Sequence, residues 1–311
     1  MELWIVLSLL GGALQAFRVA GQRLLAQEHQ SGRVVPSDAA SPFGRVALGV
    51  PIAFAALGIA AWQQDTALAP IWRGPHLGTF WLWVFAVAFL QMAATVVQTR
   101  LVSRRNFALG VVYVKVLIPA MAVIGVVVFN DRFSVWEWAA IGIGTLGLGL
   151  MSYGKVAGQA NLQWDWMTVV LGLGAGLILA ATGLAAREAV DALPQDDMGS
   201  VVRGIAALAC MASVQLVASA AFIAVRDARE FLDLWDRWPT VMYTSLFSVG
   251  GSLCWFIAFA LAHPALVNLV GQSEFFFALG ISILFFRDWP TRGELAGMAI
   301  MAVGILVILW I

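Results

Sequence analysis

The sequence predicts an all-α integral membrane protein of ten transmembrane helices, arranged as two inverted five-helix repeats. Three observations carry that expectation. The 311 residues are 61% apolar and only 12% charged, whereas a soluble domain averages about 45–50% and about 25%. The apolar residues fall into runs of the length a bilayer demands, ~20 residues per helix. The chain also matches itself when slid by 157 residues, which is the signature of an internal duplication.

The composition excludes a water-soluble globule, and it excludes a disordered chain, because so much apolar surface cannot stay solvated. Eighteen Lys and Arg balance eighteen Asp and Glu, so no net positive charge invites nucleic acid. Ten apolar runs follow in order: 3–25, 44–62, 79–101, 107–129, 135–153, 166–188, 200–225, 239–262, 264–286 and 293–311. The first is too long, and too closely followed by others, to read as a cleaved signal peptide. The runs do not alternate apolar with polar, which argues against a membrane β-barrel. The longest connection, 27–43, is rich in Ser, Pro and polar residues and reads as a surface loop.

Under the 157-residue shift, Asn106-Phe-Ala-Leu falls on His263-Pro-Ala-Leu. Lys115 falls on Gln272, Asp131 on Asp288, Glu137 on Glu294, Gly147 on Gly304 and Trp81 on Trp238. With small changes of register, Arg45 falls on Arg203 and Arg23 on Arg187. Ser134 to Glu137 and Thr291 to Glu294 both read S/T-x-x-E, a capping box that satisfies the unpaired N–H groups at a helix start. Five spans per repeat is an odd number. Residues 157–311 must therefore lie upside down relative to 1–156, and inverted repeats around a midplane site are a recurring transporter design.

These features resemble the ten-helix EamA-type branch of the drug/metabolite transporter superfamily. The resemblance runs over nearly the whole chain and is carried chiefly by 106–149 and 264–309. Each stretch is a span, a short acidic turn ending in Asp131 or Asp288, a Ser/Thr-capped start and a Gly-rich last span. The family usually has Glu at the acidic turn, and this chain has Asp. The resemblance implies a multi-pass transporter of small metabolites, not an enzyme, placed in the plasma membrane of a bacterial inner-membrane type. The superfamily handles amino acids, sugars, nucleotide sugars and drugs, so membership alone does not fix the solute.

Charge inside the spans is the informative feature. Glu274 is the one acidic residue in mid-span, and Arg18 and Lys115 are the basic residues well inside a span. A central charge costs about 2.5–3.5 kcal/mol on insertion scales, so each is a site hypothesis by default. Gln15 and Gln22 flank Arg18 at i−3 and i+4 and extend a polar stripe along the first helix. Asn268 and Gln272 share a face, but Glu274 is turned ~200° from Gln272. A straight ninth helix cannot aim both into one cavity; a bent helix can.

Two readings follow. In one, Gln15, Arg18, Lys115, Asn268, Gln272 and Glu274 line a polar substrate site between the halves, with Trp255 reaching it from the eighth span. In the other, Glu274 pairs with Arg18 or Lys115 and merely locks helices together. Two cations against one anion favour a solute bearing a carboxylate: an amino acid, another zwitterion or an organic anion, with export among the directions left open. Glu274, exchanging between a basic partner and a protonated state, is the candidate for proton coupling. A flippase for a charged lipid carrier is the alternative; an intramembrane enzyme or a scaffold is a weaker third, because no catalytic constellation is visible.

The remaining signals are structural. Gly142, Gly144, Gly147 and Gly149 in the fifth span, Gly297 and Gly304 in the tenth, and Gly172, Gly174, Gly176 and Gly183 in the sixth let helix backbones approach closely. Trp62, Trp72, Trp81, Trp164, Trp166, Trp235, Trp238, Trp289 and Trp310 sit near span ends, as in an aromatic belt. His29, His76 and His263 are scattered, and Cys210 and Cys254 lie in apolar runs. No metal site, cofactor or disulfide framework is therefore expected, and no P-loop supports direct use of ATP. Arg23, Arg33, Arg45, Arg100, Arg104, Arg105, Lys155, Arg226, Arg229, Arg237, Arg287 and Arg292 lie on one side, twelve against Arg73, Arg132, Arg187 and Arg203 on the other. The positive-inside rule then places both termini outside, whereas the family resemblance implies both inside.

Overall fold

In a computed structural model of the chain, residues 2–30, 40–102, 113–157, 166–226, 228–236, 238–281 and 289–310 are described. Asn106, Asp288, Arg33, Arg104, Arg105, Arg237, Arg287 and Trp164 lie outside the described residues, as do the side chains of Gln22, Arg23 and Lys155. Among the described residues all regular structure is helical. The helices are α1 Leu3–Gln30, α2 Ala40–Val46, α3 Gly49–Gln63, α4 Leu77–Val102, α5 Leu117–Phe129, α6 Val135–Ala157, α7 Trp166–Asp191, α8 Ser200–Arg226, α9 Glu230–Asp236, α10 Trp238–Phe259, α11 Pro264–Gly271, α12 Glu274–Ile281 and α13 Arg292–Trp310.

Among the described residues six segments are long and apolar enough to cross a bilayer: Phe43–Gln63, Leu77–Gln98, Trp166–Asp191, Ser200–Arg226, Trp238–Phe259 and Arg292–Trp310. Leu3–Arg18, Leu117–Phe129 and Val135–Met151 are shorter apolar helical stretches. The apolar run at 264–286 is not one helix but is divided into α11 and α12. Part of the connection expected over 27–43 is helical as well. α1 runs on to Gln30 and α2 starts at Ala40, consistent with the good helix formers Leu24, Leu25, Ala26, Gln27 and Glu28. Large apolar side chains such as Leu82, Val127, Leu146 and Leu306 stand exposed on the helices, the arrangement expected where lipid is the solvent. Trp62, Trp72, Trp166, Trp235, Trp238, Trp289 and Trp310 are exposed too.

The chain divides into two compact units. One holds Met1–Thr95 and Ala185–Ala262, the other Val96–Leu184 and His263–Ile311. Each unit thus draws segments from both sides of residue 156.

In the first unit α1 packs along α10, α3 packs on α8, and α2 lodges against α8 and α10. The step between α2 and α3 precedes Pro51, which has no N–H to continue the ladder and so sits in the first turn of α3. Arg203 of α8 is buried and lies 3.6 Å from Asp191 Oδ1, donating also to the Val190 carbonyl at 3.2 Å.

In the second unit the dominant packing is α6 against α13. A Cβ at Gly147 would stand 2.7 Å from the Gly297 carbonyl oxygen and 2.8 Å from Met301 Cα. A Cβ at Gly304 would stand 2.9 Å from the Ala140 carbonyl oxygen and 3.0 Å from Gly144 Cα. Gly297 and Met301 lie 157 residues beyond Ala140 and Gly144, so the two approaches are counterparts. The helix starts match in the same way. The Ser134 N–H donates to Glu137 Oε2 at 2.6 Å and the Glu137 N–H to Ser134 Oγ at 3.2 Å. The Thr291 N–H donates to Glu294 Oε2 at 2.8 Å and the Glu294 N–H to Thr291 Oγ1 at 3.2 Å. Both expected capping boxes are therefore formed.

The glycine seam makes a prediction. Gly147→Ala and Gly304→Ala each lower stability by about 1–3 kcal/mol, the usual cost of overpacking. Gly142→Ala, on the same helix as Gly147 but with nothing within 4 Å of its added Cβ, leaves stability unchanged or raises it slightly. Thermal unfolding of the purified protein in detergent measures the difference, and equal behaviour of the three variants would remove the seam.

Candidate functional site

Two helix breaks build the site, both in the second unit. Before α5 the chain leaves the helix at Lys115 and Val116. Pro119, three residues into α5, cannot donate to the Lys115 carbonyl, so the ladder restarts there. The breaks carry the same hydrogen bonds at a spacing of 157 residues. Val116 N–H donates to Tyr113 at 3.2 Å and Ile118 N–H to Lys115 at 3.5 Å; Ser273 N–H donates to Val270 at 3.0 Å and Phe275 N–H to Gln272 at 3.0 Å. Between α11 and α12 the interruption falls at Gln272 and Ser273, just after Gly271, a poor helix former.

The breaks bring the polar side chains together. Lys115 Nζ donates to Gln272 Oε1 at 2.9 Å and to Glu274 Oε1 at 3.1 Å. The two-residue step undoes the divergence of positions 272 and 274 on a straight helix, so both reach one ammonium group. The ammonium also lies 4.6 Å from the Phe275 ring centroid, where the ring face attracts a cation. The ion pair is largely buried, with Lys115 14% and Glu274 18% exposed. Glu274 opens α12, the end of a helix that favours negative charge. Buried Ser273 Oγ has no hydrogen-bond partner among the described residues, so the break leaves one hydroxyl to be satisfied.

Asn268 acts one turn earlier. Its amide donates to the Pro264 carbonyl at 2.9 Å, and its own carbonyl accepts from Gln272 Nε2 at 3.0 Å. Gln15, Arg18 and Trp255 belong to the first unit. Gln15 and Arg18 are half-buried on α1. Trp255 of α10 packs into the seam with α1, its Cε2 being 3.4 Å from where a Cβ on Gly11 would stand.

One polar pair was not anticipated. His263 Nδ1 accepts from the Ala265 N–H at 3.1 Å, capping α11. The ring proton is thereby assigned to Nε2, which donates to Asp131 Oδ2 at 2.9 Å. Phe133 meets the ring edge-on with centroids 4.6 Å apart. Asn130, in the left-handed conformation, ends α5 and turns Asp131 back towards Gly125, where a Cβ would stand 2.7 Å from Asp131 Oδ2. The sequence marked both ends of this pair, Asp131 as an acidic turn and His263 as a span junction, but gave no reason to join them. Among the described residues no group of three or more His, Cys, Asp or Glu could hold a metal ion.

Comparison with known proteins gives this arrangement a setting. No curated protein matches the chain. A solved structure described as "Crystal structure of protein" aligns over 97% of this chain and 96% of that chain, with a TM-score of 0.63 and 14% identity; at that identity the likeness is one of fold alone. Residues 166–310 match the EamA-like transporter family. That match supports a membrane transporter of the EamA type, and the described residues hold six helical segments long and apolar enough to cross a bilayer.

Proposed function

We propose that the protein is a secondary transporter of a small polar metabolite bearing a carboxylate, an amino acid or an organic anion, working by alternating access between two inverted repeats at 1–156 and 157–311. The observation that carries this reading is Lys115 Nζ, held between Gln272 and Glu274 where two helices are broken at counterpart positions. Broken helices that present polar groups inside a membrane are a recurrent way to build a transport site. A buried ion pair is a weak source of stability, which favours a working role for this one.

In this mechanism the carboxylate of the solute and that of Glu274 compete for one ammonium group. Protonation of Glu274 removes its charge and releases Lys115, a compact cation with three donors, to take the solute. Gln272 and the Ser273 hydroxyl complete the hydrogen bonding. Return of Glu274 to Lys115 expels the solute and discharges the proton. Solute and proton are then loaded together and lost together.

Two outcomes follow, read in proteoliposomes offered radiolabelled amino acids and monocarboxylates. Lys115→Ala lowers flux by roughly 10–100-fold, the loss of a charge-assisted hydrogen bond, while the protein still inserts and elutes as a folded species. Normal flux in that variant rejects Lys115. Glu274→Gln, which mimics the protonated carboxyl, keeps solute exchange but loses acceleration by a pH gradient. Gradient-driven flux equal to wild type in a stable Gln variant rejects the proton role.

A further inference from the structure

Arg45, in the last turn of α2, is placed by the sequence among the loop charges, yet its side chain is half-buried and bonded within the first unit. Nε donates to Ser248 Oγ at 3.2 Å and Nη1 to Thr95 Oγ1 at 2.9 Å. Ser245 Oγ fixes the Arg45 carbonyl at 3.1 Å. These partners are neutral, and among the described residues no carboxylate pairs with Arg45. The nearby charge that acts on it has the same sign, that of Arg18. The contrast with Arg203, its counterpart in the second half, is direct, because Arg203 has Asp191 at 3.6 Å. A cation drawn out of water without a counter-charge is costly in proportion to its burial.

Beside Arg45 lies a cavity of about 20 Å³, open on one side, lined by Gln91, Gln215, Ser248 and Ser252 among apolar side chains, room for one small ion or for the tip of a larger group entering from the open side. Hydrogen bonding leaves donors facing it. Thr95 Oγ1 passes its proton to the Gln91 carbonyl at 2.8 Å. Gln215 Nε2 donates to Gln91 Oε1 at 3.2 Å, which turns the Gln91 NH₂ to the remaining side. Ser248 accepts from Arg45 and keeps its hydroxyl proton to give. A positive charge, an amide NH₂ and a hydroxyl around one small space select an anion.

We propose that this cavity binds one small monovalent anion on Arg45, Gln91 and Ser248, either chloride or the carboxylate end of a small solute. The proposal is independent of the Lys115 mechanism, and its test reads binding instead of flux, so either can fail alone. The full chain, purified in detergent and chloride-free HEPES buffer, is titrated with sodium chloride and separately with sodium formate while the unfolding midpoint is followed. A saturable rise with chloride identifies an inorganic anion; a rise with formate alone identifies a carboxylate. Arg45→Gln weakens the response by at least about 10-fold, as loss of a charged donor does, whereas Arg292→Gln at an exposed position leaves it unchanged. Gln91→Met keeps the Arg45 bonds and weakens binding by roughly 2–10-fold, which preserves the test if the Arg45 variant does not fold. No saturable rise with either anion in the wild type, or an equal rise in Arg45→Gln and Gln91→Met, overturns the proposal.

Discussion

A charge enclosed by membrane helices must be answered within the protein, because lipid supplies no counter-ion. At the helix breaks of the second unit that requirement is met around Lys115 Nζ, and the local backbone is shaped around it. Pro119 stops the helix ladder so that Lys115 emerges at a break, and the step after Gly271 turns Gln272 and Glu274 towards the same ammonium group. An intact helix on either side would present one of these groups and lose the other. The irregular backbone is therefore a condition for the charge pair, and the pair holds the irregular backbone together.

The breaks rest on a firm base. Backbone approaches at Gly147 and Gly304 fuse α6 and α13, and Leu269 of α11 reaches down to Gly144 on the same seam. The broken helix is thus docked through its first half, before the interruption. At its start, His263 caps α11 and ties it to Asp131 at the end of α5. One helix pair is clamped by close packing and the other by polar bonds at its end, which leaves the breaks as the place where polar chemistry is concentrated.

Much of this was legible in the residues. Apolar run length located six of the expected spans among the described residues, since the bilayer imposes that length directly, but it did not show that the run at 264–286 is divided into two helices. S/T-x-x-E located two helix starts because a capping box is local, and its four partners lie within one turn. The shift of 157 residues aligned Lys115 with Gln272 before any contact was known, and the angular argument stated that positions 272 and 274 could converge only on a bent helix. Other features were beyond reach because they depend on distant packing. Gly271 in an apolar run does not announce a break, as glycine is common in membrane helices. The Asp131–His263 bond joins residues 132 positions apart. Arg45 looked like a loop charge because it sits at the edge of an apolar run, and the packing of α2 against α8 and α10 is what draws it partly inside.

Lys115 touches its own counterpart. A contact between positions related by the 157-residue shift lies where two copies of one such segment would meet face to face. Two copies of the first segment would set ammonium against ammonium at hydrogen-bonding distance, and like charges so placed repel. Two copies of the second would crowd Glu274 carboxylates with no amine between them. The centre requires two unlike segments, one bringing the ammonium group and the other the carboxylate. A half-length chain paired with itself cannot rebuild it, so a gene split that delivered one half alone would lose this charge pair however well the fragment folded.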